Sequence, residues 1–248
     1  MPHSIIVKDR VFISDLHLAP ERPQIIELFL RFADDIAAQA DELYILGDFL
    51  EYWLGDDDPT PALTPVFEKL ACLPDKHHTD VFFMHGNRDF LVGEQLAQRC
   101  HFQLIDEPYP LQIEGQDAIL MHGDTLCTDD IEYQKFRQLV RSETWQQDIL
   151  SKSLQERMQI AKNLREQSKT STSEKSETIM DVNQTETDKT FIDNKASLVI
   201  HGHTHRPAIH HKTIDSIATT RIVLGDWYEN GSYLRIKDNS DFALRSYP

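Results

Sequence analysis

The sequence predicts a layered α/β fold, and three observations support this prediction. Short apolar runs recur along the chain, and each ends in a cluster of polar residues and glycines. Amphipathic helical patterns alternate with these runs, which is typical of sheets covered by helices. The chain has 248 residues, of which 40% are hydrophobic, so it can bury one large core.

The strands are predicted from continuous apolar runs, because such runs suit strands that are buried on both faces. Five of them precede polar clusters: Val11 to Ile13, Leu43 to Leu46, Val81 to Met84, Ala118 to Met121 and Leu198 to Ile200. Three further strands are predicted towards the end of the sequence, at Arg221 to Leu224, Ser232 to Ile236 and Phe242 to Leu244.

The helices are predicted from the spacing of apolar residues. After Pro23, apolar residues recur at intervals of three and four from Ile25 to Ile36, which predicts an amphipathic helix. Similar patterns near Val66 to Leu70 and Glu94 to Cys100 predict two more helices. The first part of the chain is therefore expected to alternate strand and helix.

The stretch from Asp130 to Asn194 predicts a helical insertion, because it has few glycines and no strand-like run. One helix is predicted from Trp145 through Glu156 to Leu164, with an apolar side formed by Trp145, Ile149, Leu150, Leu154, Met158, Ile160, Ala161 and Leu164. A polar tract follows at Ser168 to Glu177. The same pattern also fits an ordinary packed helix pair followed by a solvated loop.

Charge and cysteine content exclude several classes of protein. Lys and Arg total 25 and Asp and Glu total 41, so the net charge is −16 and broad nucleic-acid binding is not expected. The three cysteines, Cys72, Cys100 and Cys127, form no CxxC pair and are expected to be reduced thiols in a cytosolic protein. The apolar runs are too short to predict a signal peptide or a membrane span.

The polar clusters follow the five apolar runs at the strand ends, which is where open α/β sheets place their ligands. In an extended segment, residues two apart face the same side, so Asp15 with His17 and His203 with His205 present pairs of metal ligands. The set offers two Asp, one Asn and four His: Asp15, His17, Asp48, Asn87, His122, His203 and His205. This oxygen and nitrogen chemistry suits Mn²⁺, Fe²⁺ or Zn²⁺, and seven ligands suffice for two metals bridged by Asp48.

Each cluster alone is a weak signal, since Gly-Asp and Gly-Asn pairs are common in turns. Their order is far more specific: D-x-H, GD, GN, H and GHxH follow one another as in the calcineurin-like metallophosphoesterases, which the chain resembles from roughly Val11 to Pro207. The segments ISDLHL, ILGDFLEYWLGDDD, HGNRDFLVG, MHGDTLCTDD, IMDVNQ and HGHTHRP are similar to those of one group within that family, the pyrophosphatases of lipid A synthesis in Gram-negative bacteria.

The resemblance implies an α/β/β/α metallophosphoesterase sandwich with a helical lid insertion. The core would comprise residues 1–129 and 196–248, and residues 130–195 would form the lid. It also implies two Mn²⁺ ions per chain, the first held by Asp15, His17, Asp48 and His205 and the second by Asp48, Asn87, His122 and His203. The catalytic residues that the resemblance implies are Asp48, Asn87, Arg88 and His122.

The resemblance further implies the substrate, a UDP-linked diacylated glucosamine. Water would attack the α-phosphate of the UDP group, and residues contacting phosphates or sugars would be Asn87, Arg88, Asp130, Arg165, Ser168, Thr172, Lys175 and His203. Many phosphoesterases of this superfamily have a histidine directly after the Gly-Asn pair, where this chain has Arg88. Because a sugar phosphate is a weakly basic leaving group and arginine binds diphosphates bidentately, this departure favours pyrophosphate cleavage.

Two other functions remain open at this point. A soluble nucleotide-sugar pyrophosphatase on the same metal core would need no apolar cavity under the insertion. An inactive scaffold with this fold would have no need of the complete ligand set. For the main interpretation we expect a monomer in the cytoplasm, peripheral to the inner-membrane surface. The predicted helix is more polar than a strong membrane-docking face would be, because it includes Gln146, Gln147, Asp148, Gln155 and Glu156.

Overall fold

The computed structural model describes residues 8–174, 181–237 and 242–248, with the backbone alone for residues 167–174. Its strands are, in chain order, β1 (Arg10–Ile13), β2 (Glu42–Leu46), β3 (Asp80–Met84), β4 (Gln103–Ile105), β5 (Tyr109–Ile113), β6 (Gln116–Leu120), β7 (Leu198–His201), β8 (Ala208–Ile214), β9 (Ile217–Val223), β10 (Gly231–Ile236) and β11 (Ala243–Tyr247). Its α-helices are α1 (Pro23–Asp35), α2 (Thr64–Cys72), α3 (Glu94–Cys100), α4 (Ile131–Val140), α5 (Glu143–Leu150), α6 (Leu154–Glu174) and α7 (Gln184–Asn194).

The strands form two sheets that pack face to face. The first sheet has the order β11-β10-β1-β2-β3-β4, with β1 to β4 parallel and β10 antiparallel to both of its neighbours. The second has the order β5-β6-β7-β9-β8, with β6, β7 and β9 parallel and an antiparallel strand at each edge. The parallel strands of each sheet therefore end at a common edge.

Alternation along the central strands builds two separate cores. In β1, Val11 and Ile13 pack against α1 to α3, whereas Phe12 faces the second sheet. Tyr44 on β2 follows the same rule and stacks on Phe12, with ring centroids 5.0 Å apart. Successive side chains of a strand point to opposite faces, so a strand buried on both faces must be apolar throughout.

The outer face of the second sheet packs against α7. Phe191 of that helix lies in a small core with Ile119 and Val199 of β6 and β7. The layers are thus helix, sheet, sheet and helix, and the predicted α/β/β/α sandwich is confirmed. The division of the chain at residues 129 and 195 stays a prediction, and α7, which falls within the predicted insertion, packs on the core.

The prediction of one helix from Trp145 to Leu164 is wrong. Helix α5 ends at Leu150 and α6 begins at Leu154. Ser153 starts the second helix by a reciprocal cap: its backbone N–H donates to Glu156 at 2.9 Å, and the Glu156 N–H donates to its hydroxyl at 3.3 Å. This S-x-x-E pattern is a helix start signal that the sequence contains. The polar tract at Ser168 to Glu177 begins as a helix and not as a loop, because α6 continues to Glu174.

Candidate functional site

The five polar clusters meet where the strands of the two sheets end. The backbone N–H of Asp15, after β1, donates to the Gly47 carbonyl after β2 at 3.1 Å. Its carboxylate accepts the backbone N–H of His203, after β7, at 2.9 Å. His122, after β6, contacts the Leu46 carbonyl of β2 through Nδ1 at 2.9 Å. Residues that are far apart in the sequence are therefore joined into one site.

A first group of possible metal ligands lies around Asp15. The ligand atoms of Asp15, His17 and His205 lie within 4.8 Å of one another. His205 Nε2 is 3.2 Å from Asp15 Oδ1, and His17 Nε2 is 3.8 Å from Asp48 Oδ2. Asp48 thus borders this group with one carboxylate oxygen.

A second group lies on the other side of Asp48. Its Oδ1 is 3.8 Å from His122 Nε2, and the ligand atoms of Asp15, Asp48 and His122 lie within 4.8 Å of one another. Asn87 Oδ1 is 3.0 Å from His122 Nε2 and 2.9 Å from His203 Nδ1. The structure therefore brings together all seven residues that the sequence singled out as ligands, with Asp48 between the two groups.

The ligand-bearing loops need unusual backbone. Asp15, His17, Asp48, His203 and His205 all have φ between +50° and +68°, in the left-handed region. Gly86 and Gly202 allow the loops to approach closely, since a Cβ on Gly86 would lie 2.1 Å from the Asp48 nitrogen and one on Gly202 2.3 Å from Asp15 Oδ2. These turns aim the ligands of successive strands at one point.

The electrostatics of the site favour added positive charge. Burial lowers the pKa of His122, but the charges of Asp48, Asp124 and Asp15 outweigh it and raise the pKa to about 9. Burial, with the neighbouring His122, lowers the pKa of His203 to about 4. The His203 ring is therefore neutral near pH 7 and can offer a nitrogen lone pair to a metal. A divalent cation satisfies such a carboxylate-rich site better than a proton does.

The distances also fit cations. Two ligands that are each about 2.1 Å from one ion lie roughly 3–4 Å apart. The separations of 3.8 Å from the Asp48 oxygens to His17 and His122 are too long for hydrogen bonds and fall within this range. Within the described ranges, the buried Nε2 atom of His17 makes no hydrogen bond. The residues present therefore fit a divalent metal cofactor.

Beside the second group lies an apolar cavity of about 290 Å³. Asn87 and Arg88 line it at the site, and Asp130 and Arg165, two of the predicted substrate contacts, line it further out. Apolar and aromatic side chains of the core loops and of α4 to α6 form most of the wall: Trp53, Leu54, Phe90, Leu91, Tyr133, Phe136, Trp145, Ile149, Ile160, Ala161 and Leu164. The side chains of Ser168 and Thr172, and all of Lys175, lie outside the described residues.

Comparison with known proteins agrees with this geometry. The family model for calcineurin-like phosphoesterases matches residues 10–207. A UDP-2,3-diacylglucosamine hydrolase of Stenotrophomonas maltophilia is 48% identical over 91% of this chain and 94% of its own length. One from Marinobacter nauticus is 47% identical over 96% and 97%, respectively. The chain therefore belongs to the calcineurin-like phosphoesterase family, in the group that contains these hydrolases.

As a calcineurin-like phosphoesterase, the protein is a metal-dependent hydrolase. Among solved structures, an archaeal phosphodiesterase superposes with a TM-score of 0.47 at 13% identity, covering 96% of this chain and 99% of its own. In the part of the chain that the structure describes, no helix is both long and apolar enough to cross a membrane.

Several residues that support the phosphoesterase site were not found from the sequence. Glu51 Oε2 lies 2.9 Å from His17 Nδ1, and Glu51 Oε1 accepts a 2.7 Å hydrogen bond from Arg165. Burial raises the pKa of Glu51, but His17, Arg88 and Arg165 outweigh it and lower the pKa to about 2. The carboxylate therefore stays ionised beside the His17 ring, a position that partners of metal-binding histidines commonly take.

A second supporting cluster attaches α4 to the metal ligands. The buried Asp124, two residues after His122, accepts hydrogen bonds from the Tyr133 hydroxyl at 2.6 Å and from Arg137 Nε at 2.8 Å. Arg137 also donates to Glu107 at 3.0 Å. The Tyr133 ring in turn lies 5.8 Å from that of His203. The HGD motif contained Asp124, but nothing in the sequence indicated that its partners come from the insertion.

Proposed function

We propose that the protein hydrolyses the pyrophosphate bond of UDP-2,3-diacylglucosamine in lipid A biosynthesis, giving UMP and 2,3-diacylglucosamine 1-phosphate. The observation that carries this proposal is the apolar cavity that begins at Asn87 and Arg88, directly beside the ligand groups. A substrate with acyl chains needs such a cavity, whereas a soluble nucleotide sugar does not. The names of the related hydrolases support the same substrate.

We further propose two Mn²⁺ ions, the first held by Asp15, His17, Asp48 and His205 and the second by Asp48, Asn87, His122 and His203. Their support is the oxygen and nitrogen donor set and the position of Asp48 between the two groups. When bound, the cations supply an activated water and neutralise charge on the phosphoryl oxygens.

Arg88 is proposed to bind the diphosphate. Its backbone N–H donates to Asp48 Oδ1 at 2.8 Å, which places the residue next to the carboxylate between the ligand groups. Its buried Nε makes no hydrogen bond to the residues that the structure describes. A guanidinium with free donors can hold a phosphate by two parallel hydrogen bonds. A sugar phosphate is a weakly basic leaving group, so it can leave without a proton from this residue.

The lid is proposed to recognise the glucosamine and its phosphate through Asp130, Arg165, Ser168, Thr172 and Lys175, together with His203 of the core. Asp130 begins α4, where its carboxylate accepts the Tyr133 N–H at 3.1 Å. Arg165 lies over the Tyr52 ring at 5.4 Å and pairs with Glu51, so it joins the lid to the ligand loops. Both residues line the same cavity as Arg88.

We also propose that the enzyme works as a monomer in the cytoplasm, peripheral to the inner-membrane surface. Ile131 and Leu139 on α4 are 62% and 55% exposed and lie eight residues apart, on one side of the helix. Met158 on α6 is also exposed. Apolar groups on the lid would face the lipid from which the acyl chains must be taken.

The site of attack tests the proposed reaction. Hydrolysis of UDP-2,3-diacylglucosamine in ¹⁸O-labelled water is expected to place the label in UMP, because attack falls on the phosphate next to uridine. Mass spectrometry of both products measures this. Label in the diacylglucosamine 1-phosphate would contradict attack at this phosphorus, and absence of turnover would contradict the substrate.

Removal of divalent metal is expected to abolish activity, since the carboxylates and imidazoles around Asp48 otherwise leave the diphosphate without countercharge. Dialysis against EDTA followed by titration with Mn²⁺, Mg²⁺ or Zn²⁺ measures this, with metal content determined in each sample. Recovery to the greatest extent with Mn²⁺ is expected. Undiminished turnover in metal-free protein would contradict the proposal.

Lys175→Ala and Arg165→Ala are each expected to lower kcat/KM about tenfold or more, because each removes a charge-assisted hydrogen bond to the substrate. Bound metal should be unchanged. Lys162→Ala is the matched control, since Lys162 lies exposed on α6, the helix that carries Arg165. Wild-type kinetics in both lid variants would mean that this segment is only a solvated surface.

A further inference from the structure

Tyr228 is an exposed aromatic side chain at the edge of the ligand groups. Its side chain is 55% exposed, and among the described large apolar residues that are strongly exposed it alone is aromatic. Its ring lies parallel to the His17 ring, with centroids 6.0 Å apart, and 5.6 Å from the His205 ring. The ring therefore borders the site, and the proposed reaction gives it no role.

The Tyr228 ring packs against an arginine that is itself held by backbone hydrogen bonds. The Arg22 guanidinium lies 4.9 Å from the Tyr228 ring centre. Arg22 itself donates hydrogen bonds to the carbonyls of Leu16, His17 and Trp227 at 3.1–3.2 Å. Trp227, the residue that precedes Tyr228, is fully buried. A flat surface that is fixed before binding loses little entropy when a ligand stacks on it.

Tyr228 borders the first ligand group and is not part of the cavity wall. The cavity is lined by Asn87 and Arg88, but not by Asp15, His205, Asp226 or Tyr228. Tyr228 instead contacts His17 and His205, in the first ligand group. Glu51, which lines the cavity together with Arg88, lies 2.9 Å from Nδ1 of His17, the residue whose ring is parallel to that of Tyr228. Tyr228 and the cavity are therefore linked through His17 and Glu51.

A substrate whose diphosphate lies at the two ligand groups extends from them in two directions, one towards its glucosamine and one towards its nucleoside. If its glucosamine enters the apolar cavity beside Asn87, its nucleoside must leave towards the first ligand group, where Tyr228 is exposed. We propose that Tyr228 is the surface on which the uracil ring of the substrate stacks, an inference that rests on the proposed function. The base is uncharged, so the neighbouring carboxylates of Asp226 and Glu229 do not repel it. Aromatic side chains are the usual platforms for unpaired bases.

The experiment compares UMP with ribose 5-phosphate, which has the same phosphate and pentose but no base. Binding of each to the Mn²⁺-loaded protein is measured by calorimetry, so the result does not depend on turnover. Tyr228→Leu keeps an apolar side chain without an aromatic face, Tyr228→Phe keeps the face, and Ile217→Ala is an exposed control on β9. Metal content is measured in all variants, because Tyr228 lies against His17.

Wild type and Ile217→Ala are expected to bind UMP more tightly than ribose 5-phosphate. Tyr228→Leu is expected to weaken UMP about tenfold without affecting ribose 5-phosphate, and Tyr228→Phe to stay within about threefold of wild type for UMP. Equal weakening of both ligands, or loss of metal, would show that the residue only supports the ligand loops and would overturn the proposal. Unchanged UMP binding in Tyr228→Leu would overturn it as well.

Turnover separates this proposal from the proposed function. The kcat/KM for UDP-2,3-diacylglucosamine should fall in Tyr228→Leu by the same factor as UMP affinity. Wild-type protein that binds UMP through Tyr228 but does not hydrolyse this substrate would leave the base site standing and reject the lipid substrate. Normal turnover together with base-independent binding would reject the base site alone.

Discussion

Asp48→Asn is expected to lower kcat/KM about a thousandfold or more. Asp48 lies between the two ligand groups, with one carboxylate oxygen 3.8 Å from His17 and the other 3.8 Å from His122. Loss of its charge weakens both groups at once, and metal-ion stabilisation of a phosphoryl transition state is worth several kcal/mol, or about three powers of ten in rate. The measurement is steady-state hydrolysis together with metal content by mass spectrometry.

Asparagine is the informative replacement because it should preserve the fold. The φ of Asp48 is +50°, a conformation that Asn tolerates better than Ala does. Its amide oxygen can still accept the hydrogen bond from the Arg88 N–H. Asp117→Asn, the same change at an exposed carboxylate on β6, is the matched control. Near-normal activity with full metal content in Asp48→Asn would reject Asp48 as the shared ligand.

The wild-type enzyme is expected to prefer UDP-2,3-diacylglucosamine to UDP-N-acetylglucosamine by about a thousandfold in kcat/KM. Burial contributes about 0.8 kcal/mol per methylene, so about five methylenes in the cavity are sufficient. Only the acylated substrate can fill the space between Phe90 and the lid helices. Equal kcat/KM for the two substrates would favour the soluble nucleotide-sugar pyrophosphatase.

Filling the cavity should remove this preference. Ala161→Trp adds bulk to the cavity wall on α6, so it should lower turnover of the acylated substrate and leave the slow turnover of UDP-N-acetylglucosamine unchanged. Asn163→Trp adds the same bulk at an exposed position of that helix and is expected to have little effect. A similar loss in both variants would place the acyl chains elsewhere.

The central strands and the ligand residues could be predicted because both leave local signals. A strand buried on two faces is a continuous apolar run, as in Leu43 to Leu46, and the residues that follow it must lie at the sheet edge. The seven proposed ligands, which the structure brings together, were therefore visible in the sequence at five such positions. The family resemblance supplied the second sheet and suggested the proposed substrate.

The remaining strands were missed for a physical reason. β4, β5 and β8 are edge strands, exposed on one side to solvent, and their sequences are short or polar. β5 includes Pro110 and β8 includes His210 and His211, which suit an edge and hide the strand pattern. The supporting contacts of Asp124 and Glu51 could not be found either, because their partners Arg137 and Arg165 are brought to them only by folding.

The left-handed backbone of the ligand loops sets evolutionary and engineering limits on this enzyme. Holding Asp15, His17, Asp48, His203 and His205 at positive φ costs on the order of 1 kcal/mol or more at each position, and the surrounding core must compensate for it. Glycine at any of these positions would relieve that cost and discard a proposed metal ligand. Selection for thermal tolerance alone would therefore enrich stable but inactive chains, so stabilisation has to be sought away from these loops.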